Sequence, residues 1–80
     1  MATASLTPLK RQLARRIAAS VGKLNLRQTE AAQMLQLTQP RLNALLRGRV
    51  ELFSLDALVL IAMRAGLTLR VSATRSYRRD

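Results

Sequence analysis

Residues 39–47 carry side chains that can recognise the edges of nucleic-acid bases. The amides of Gln39 and Asn43 can pair bidentately with adenine N6 and N7, and the guanidinium of Arg41 can pair with guanine O6 and N7. Leucines at positions 42, 45 and 46 supply an apolar side at helical spacing. The groups that remain outward are then Gln39, Pro40, Arg41, Asn43, Ala44 and Arg47.

This outward set can make only a few base contacts. We expect about two direct hydrogen-bonding contacts, with Ala44 adding an apolar contact to a thymine methyl group. Arg41 fits two roles, base reader and phosphate clamp, and the sequence does not choose between them. Simple exposure to solvent is the alternative for each polar residue taken singly, but the set as a whole favours reading of DNA.

Two short helices with a break between them must position these side chains. Residues 28–35 have a small or apolar inner side, residues 36–38 interrupt the period, and residues 39–47 form the second helix. Thr38 suits the N-cap of the second helix, because its hydroxyl can accept a free backbone N–H of the first turn. Pro40 lies in that turn, where its missing donor costs nothing, and Gly48 suits the position just after the helix.

A helix-turn-helix unit is the arrangement that this pattern predicts. In such a unit two helices meet at a steep angle across a short turn, and the second can enter the major groove of DNA. Ala32 is small, as a close crossing requires, while Leu42 and Leu45 fill the angle between the helices. A helical hairpin without a role in DNA binding is the plainer alternative.

The segment QTEAAQMLQLTQPRLNALLRG, residues 28–48, resembles the helix-turn-helix of Xre/Cro-type regulators and is most similar to compact HigA-type antitoxin regulators. Gln28 opens its first helix and Gln39 opens the second, eleven residues later, as in that family. The likeness extends more loosely from about residue 9 to residue 71. It implies a mainly α, compact lambda-repressor-like domain of four to five helices, with a C-terminal strand that pairs across a homodimer.

Roles for individual residues follow from this resemblance. We expect Gln28 at a phosphate, because the N–H groups and dipole at the N-terminus of its helix favour an anion. In the family this glutamine also braces the one that opens the second helix, here Gln39, and some relatives carry a second base-reading glutamine at the position of Pro40. The expected base contacts are Gln39, Asn43, Arg41, Ala44 and Pro40. The expected phosphate contacts are Gln28, Thr38, Arg47, Arg49 and Ser54.

Two positions depart from the family pattern. Gln36 stands in the turn where the family usually has glycine, since the backbone there tends towards positive φ, and a glutamine in that conformation costs on the order of 1 kcal/mol. Arg27 stands where the family usually has a capping threonine, so that capping bond is lost or supplied by another group. We expect neither departure to remove the fold.

A first helix is expected over residues 7–21, ahead of the motif. Thr7 and Pro8 suit its N-cap and first helical position, and Gly22 can cap its other end. Its buried stripe should be Leu9, Leu13, Ile17 and Val21, with Ala14 and Ala18 beside it. The cations on the other side, expected to be mostly solvated, are Lys10, Arg11, Arg15 and Arg16. In the linker that follows, Leu24 or Leu26 should point inward.

The last helix is expected over residues 54–64, with Ser54 as N-cap, Gly66 at its end and Phe53 in the core. It is apolar on almost every side, so its cover should come partly from a partner subunit, with deep burial in one subunit as the alternative. Residues 67–72 alternate apolar and polar side chains, which indicates a strand. We expect no second strand in the chain, and therefore predict pairing across a two-fold axis through Leu67, Leu69 and Val71.

The charge of the chain favours a polyanion as partner. Fourteen basic and four acidic residues give a net charge of 14 − 4 = +10. Double-stranded DNA is the first candidate, with RNA and an anionic membrane surface as alternatives. The membrane is disfavoured because the basic residues do not gather on one face of an exposed amphipathic helix.

Enzymatic chemistry is not expected from this composition. The chain has no histidine and no cysteine, so general acid–base work, metal ligation and nucleophile activation lack their usual groups. We therefore expect no catalytic residue, no metal and no cofactor. We also expect neither a signal peptide nor a membrane span, which favours the cytoplasm, with the protein on the nucleoid.

These elements divide the chain into a flexible arm at 1–6, a helix-turn-helix domain at 7–66, a dimerisation strand at 67–74 and a disordered basic tail at 75–80. The expected function is sequence-specific binding of a homodimer to a palindromic operator in double-stranded DNA, with repression of its own operon. The alternative is a type II antitoxin that acts chiefly by binding and neutralising a toxin protein.

Overall fold

The computed structural model of the chain describes residues 5–70 and residue 72. Within these residues there are four α-helices, α1 (Thr7–Lys23), α2 (Gln28–Leu35), α3 (Gln39–Leu46) and α4 (Leu55–Arg64), with a 3₁₀ turn at Val50–Leu52. The long helix α1 packs against α4, α3 and the 3₁₀ turn, while α2 packs against α3 and α4. The mainly helical fold expected from the sequence is confirmed.

One apolar core joins all four helices. The six largest side chains that are fully buried are Phe53, Ile17, Leu35, Leu42, Leu45 and Leu58. Alanines fill the places where helices approach closely, and Ala32 is buried as a close crossing of α2 and α3 requires. No polar or charged side chain of the described residues is buried in this core. Apolar burial therefore supplies most of the stability of the domain.

The helix α1 differs from expectation at both of its ends. Thr7 is its first helical residue rather than its N-cap, and the Thr7 N–H donates to the Ser5 hydroxyl at 3.2 Å. The helix continues through Gly22 to Lys23. Asn25, rather than Gly22, has the left-handed conformation that follows the helix, with φ +56°. Asparagine tolerates this conformation better than other non-glycine residues, which explains why the helix can pass the glycine and end later.

The helix-turn-helix segment follows the predicted boundaries closely. The helix α2 spans the predicted residues, and α3 ends one residue earlier than predicted, at Leu46. Gln36 is left-handed, with φ +57° and ψ +45°, as expected for the turn. The Leu37 N–H donates to the Ala32 carbonyl at 2.8 Å and closes the end of α2. At the other end, the Arg27 side chain makes no capping bond, and Glu30 supplies a different one, since its carboxylate accepts the Arg27 N–H at 2.9 Å.

The helix α4 has one buried side and one exposed side. Leu58, Ile61 and Ala62 face the core, whereas Leu60 and Met63 are 47% and 59% exposed. The prediction that this helix needs cover beyond its own subunit stays open, because nothing among the described residues covers that outer side. Ser54 caps the start of this helix, as predicted, and Gly66, with φ +85°, follows its end.

Several leucines predicted to be buried lie at the surface. Leu9 is 44% exposed and lines an open groove of about 490 Å³ between α1 and residues 67–70. Leu46 is exposed, because it follows Leu45 by about 100° around the helix and turns away from the core. Leu24 and Leu26 are both exposed, since the chain reverses at Asn25 and no described element covers them.

The predicted strand is not observed in the described part of the C-terminal segment. Residues 67–70 and Ser72 have no regular secondary structure, and Leu67 and Leu69 pack half-buried against the core. The described residues do not include Val71, most of the arm at 1–6 or the tail at 75–80. What the sequence predicts for them therefore stays a prediction. Across residues 5–70 no helix combines the length and apolar character that crossing a membrane would demand.

Candidate nucleic-acid interface

The helix α3 presents the expected polar side chains at the surface. Gln39, Pro40 and Asn43 are exposed, and Ala44 is half-buried beside them. Leu42 and Leu45, on the opposite side of the helix, are about 1% exposed and fix its rotation about its own axis. The side chains with base-pairing groups therefore lie on a helix whose inner side is locked in the core.

Thr38 determines where this helix begins. Its hydroxyl oxygen accepts the Arg41 N–H at 3.3 Å, and its carbonyl accepts the Leu42 N–H at 2.9 Å. Pro40 occupies the first turn, where no N–H partner is needed. The Thr38 side chain is exposed, and its hydroxyl hydrogen remains able to donate to a phosphate oxygen while the oxygen caps the helix.

The N-terminus of α2 holds the residue expected at a phosphate. Gln28 is its first residue and is exposed. Glu30 lies in the same turn, and its carboxylate neutralises part of the positive potential of the helix end. An anion at this end must therefore rely on the Gln28 side chain and the first backbone N–H groups rather than on the helix dipole alone.

Arg41 has partners within its own chain. Its Nη1 donates to the Leu52 carbonyl at 2.9 Å, and its guanidinium carbon lies 4.1 Å from the centre of the Phe53 ring. Only one of its five N–H donors is used in this hydrogen bond and the residue is exposed, so the base-reader and phosphate-clamp roles both stay predictions. The structure gives the guanidinium a position against the 3₁₀ turn, where it ties α3 to the segment leading into α4.

The basic loop after α3 has a defined backbone. Gly48 has φ +79°, a left-handed conformation that favours glycine, as expected for the residue that closes the helix. The Arg49 N–H donates to the Ala44 carbonyl at 3.0 Å, so the loop is pinned to the end of α3. Arg47 and Arg49 are exposed on either side of the glycine and carry the charge that a DNA backbone attracts.

Ser54 is the N-cap of α4, as the sequence predicted. Its hydroxyl accepts the Ala57 N–H at 3.0 Å, and its carbonyl accepts the Leu58 N–H at 3.1 Å. The residue is exposed at the start of α4, so the remaining N–H groups of this turn face an accessible surface.

Four side-chain contacts between elements, made by three residues, were missed from the sequence. Besides the Arg41 contacts, the Ser20 hydroxyl donates to the Ala65 carbonyl at 2.9 Å and joins α1 to the end of α4. Arg64 Nη1 donates to the Leu35 carbonyl at 3.4 Å, at the C-terminal end of α2. The two residues of the Ser20 contact are 45 positions apart in the chain, and those of the Arg64 contact are 29 apart. A local sequence pattern does not predict such pairs.

The helices α2 and α3 meet across a left-handed turn, and α3 exposes two amide side chains. Together these features define a helix-turn-helix DNA-binding domain. The family model described as "Helix-turn-helix domain" matches residues 1–74, and the chain belongs to this family. Comparison with curated proteins gave no match.

Proposed function

We propose that the protein is a sequence-specific regulator of transcription that binds a pseudo-palindromic operator as a homodimer and represses its own operon. Within the helix-turn-helix family we place it with the Xre/Cro-type regulators, near the compact HigA-type ones, on the residues of 28–48. The observation that carries the proposal is the exposed pair of amides, Gln39 and Asn43, on a helix locked by its buried leucines. Amides held on a rigid helix can discriminate bases, which a merely basic surface cannot.

The proposed contacts divide into two groups. Gln39 and Asn43 read adenine edges, and Ala44 and Pro40 offer apolar contact to a thymine methyl. The groups that hold the DNA backbone are Gln28, Thr38, Arg47, Arg49 and Ser54. Arg41 is a further candidate, as base reader or phosphate clamp, and its contacts with Leu52 and Phe53 hold its side chain beside α3.

A substitution at Gln39 tests the proposed base reading. Gln39→Ala should cost roughly 1–3 kcal/mol on the operator and little on a scrambled duplex. Gln33→Ala is the matched control, since Gln33 is an exposed glutamine on α2 outside the proposed DNA contacts and the proposed dimer surface. Equal losses on the two duplexes would remove Gln39 from the set of base readers.

The homodimer is supported by apolar surface that one subunit leaves open. Leu60 and Met63 are exposed on α4, and Leu67 and Leu69 line the groove beside Leu9. A second subunit whose residues 67–71 pair antiparallel with residues 67–71 of the first would cover this apolar surface. It would also set two α3 helices about 34 Å apart, as successive major grooves on one face of DNA require.

A proline at position 71 tests the pairing. Val71→Pro removes a backbone N–H that a ladder would use, whereas Val71→Thr keeps it. Light scattering should give a smaller mass for the proline variant and an unchanged mass for the threonine variant. A proline variant as dimeric as the parent would defeat the paired segment.

The second candidate function is that of an antitoxin that binds and neutralises a toxin protein. Exposed Leu60 and Met63 on one side of α4 favour it, because uncovered apolar side chains suit a protein partner. Co-expression with the protein encoded next to this gene, followed by purification, should then yield a complex that Met63→Lys disrupts. A partner retained equally by the variant would exclude this side of α4 as the contact.

A further inference from the structure

A groove of about 230 Å³ lies between α1 and the C-terminal end of α3, apart from the base-reading side chains. Two arginines of α1, Arg11 and Arg15, line it from one side, and Gly48 of the basic loop lines it from the other. Its remaining walls are apolar and consist of Ala14, Ala18, Leu45 and Leu46.

None of the described residues that line the groove beside the two arginines is acidic. The two arginines are exposed and four positions apart, so their side chains lie one above the other on a single side of α1. Like charges at this spacing destabilise a helix by about 0.2–0.5 kcal/mol. The pair therefore contributes nothing to folding through its charges, and an external anion is the partner that its position suits.

The groove continues the basic surface of the loop. Gly48 lies between Arg47 and Arg49, which makes four arginines in two adjoining segments. Four residues of helix rise by about 6 Å, a span from which two long guanidinium side chains can reach one phosphate or two successive ones. The apolar walls suit the sugar carbons between phosphates, since a phosphodiester chain alternates charged and less polar units.

We propose that this groove, which we call the Arg11–Arg15 groove, binds phosphodiester groups of the DNA backbone next to those held by the Arg47-Gly48-Arg49 loop. The proposal rests on the proposed DNA-binding function and adds a contact from the body of α1. The proposed contact would raise the affinity for DNA without selecting bases, because guanidinium–phosphate contacts carry no sequence information directly. A DNA backbone is favoured over an acidic protein segment because the groove is continuous with the loop and the chain carries a net charge of +10.

The test is the salt dependence of binding, measured by fluorescence anisotropy between 50 and 200 mM salt on an operator duplex and a scrambled duplex. The variants are Arg11→Gln, Arg15→Gln and the double variant. Each phosphate contact adds about 0.9 to the slope of log K against log salt, and the proposed homodimer contains the groove twice. The parent should therefore lose about 150-fold more affinity over this range than a double variant that lacks two contacts in each subunit. The change should be equal on both duplexes.

The matched control is Lys23→Gln, compared with the single variants Arg11→Gln and Arg15→Gln. Lys23 is exposed at the C-terminal end of α1 and lines neither groove, so the charge change is identical and only its place differs. The proposal expects a slope close to that of the parent for this control. Thermal melting of every variant verifies that the fold is intact, which is expected because all three substituted residues are exposed.

Two results would overturn the proposal. One is an unchanged slope in the Arg11→Gln, Arg15→Gln variant, which would leave the groove for another ligand such as an acidic protein segment. The other is an equal drop in slope for the control, which would make the effect one of net charge alone. Neither result touches the proposed regulator, whose failure would show as equal affinity of the parent for operator and scrambled duplexes.

Discussion

Arg41→Met tests whether Arg41 stabilises the position of α3 or reads DNA. Methionine keeps the aliphatic length of arginine and has a similar helix propensity, so the change removes mainly the guanidinium. The variant loses a hydrogen bond of 2.9 Å to the Leu52 carbonyl and the contact of the guanidinium carbon with the Phe53 ring, whose centre is 4.1 Å away. If Arg41 has the structural role, the variant should unfold more easily than the parent.

The expected loss is about 1.5 kcal/mol. A net hydrogen bond contributes about 0.5–1.5 kcal/mol, and a cation–π contact at an exposed site contributes about 0.5–1 kcal/mol. For a domain of this size each kcal/mol shifts Tm by about 4–8 °C, so Tm should fall by about 6–12 °C. The melts are compared at one protein concentration, because a dimer has a concentration-dependent Tm.

A double-mutant cycle with Phe53→Leu separates the stacking from other losses. Phe53 is buried, so Phe53→Leu alone is destabilising, but the cycle should still leave a coupling of about 0.5–1 kcal/mol. Arg47→Met is the matched control: Arg47 is an exposed arginine at the end of α3, and its loss should change stability by less than about 0.5 kcal/mol. Unchanged stability in Arg41→Met together with a selective loss of operator affinity would refute the reasoning and return Arg41 to base reading.

Three further changes test other parts of the account. Arg49→Ala should weaken binding to operator and scrambled duplexes alike and lower the salt slope by about 1 per subunit, about 2 for the homodimer, in titrations, and a selective loss on the operator would contradict its backbone role. Gln36→Gly should raise stability by about 1 kcal/mol in chemical denaturation, because φ is +57° there, while Gln36→Ala should give no such gain. Ser54→Ala should cost about 1 kcal/mol through the lost cap of α4, and Ser54→Asp should restore most of it; equal melting of all three proteins would rule out the cap.

The helix-turn-helix could be predicted from the sequence because its signals are local. Thr38 and Ser54 are good capping residues, each directly before a helical period, and the structure shows both hydroxyls accepting the expected N–H groups. The left-handed turn at Gln36 followed from the break in period and the family pattern. Each of these features depends on residues within about four positions of one another, so a linear pattern contains all the information needed.

Features that depend on distant elements were predicted less well. Leu9 and Leu46 continue apolar stripes that look buried from their own helices, yet no described element covers them fully. The Arg41 contacts bridge 11 residues, and they depend on the 3₁₀ turn that the sequence pattern did not define. For the segment at 67–70, alternation indicated a strand, but a strand needs a ladder partner, and the described residues contain no other strand.

The central claim is that this domain distinguishes one DNA sequence from another, and fluorescence anisotropy tests it most directly. The parent protein is titrated onto a duplex from just upstream of its gene and onto a scrambled duplex of the same composition, each at two salt concentrations. The account predicts a preference of about a thousandfold or more for the upstream duplex, retained at the higher salt. Weak binding that is equal on both duplexes and falls steeply with salt would contradict it, because the arginines alone would then explain all of the affinity.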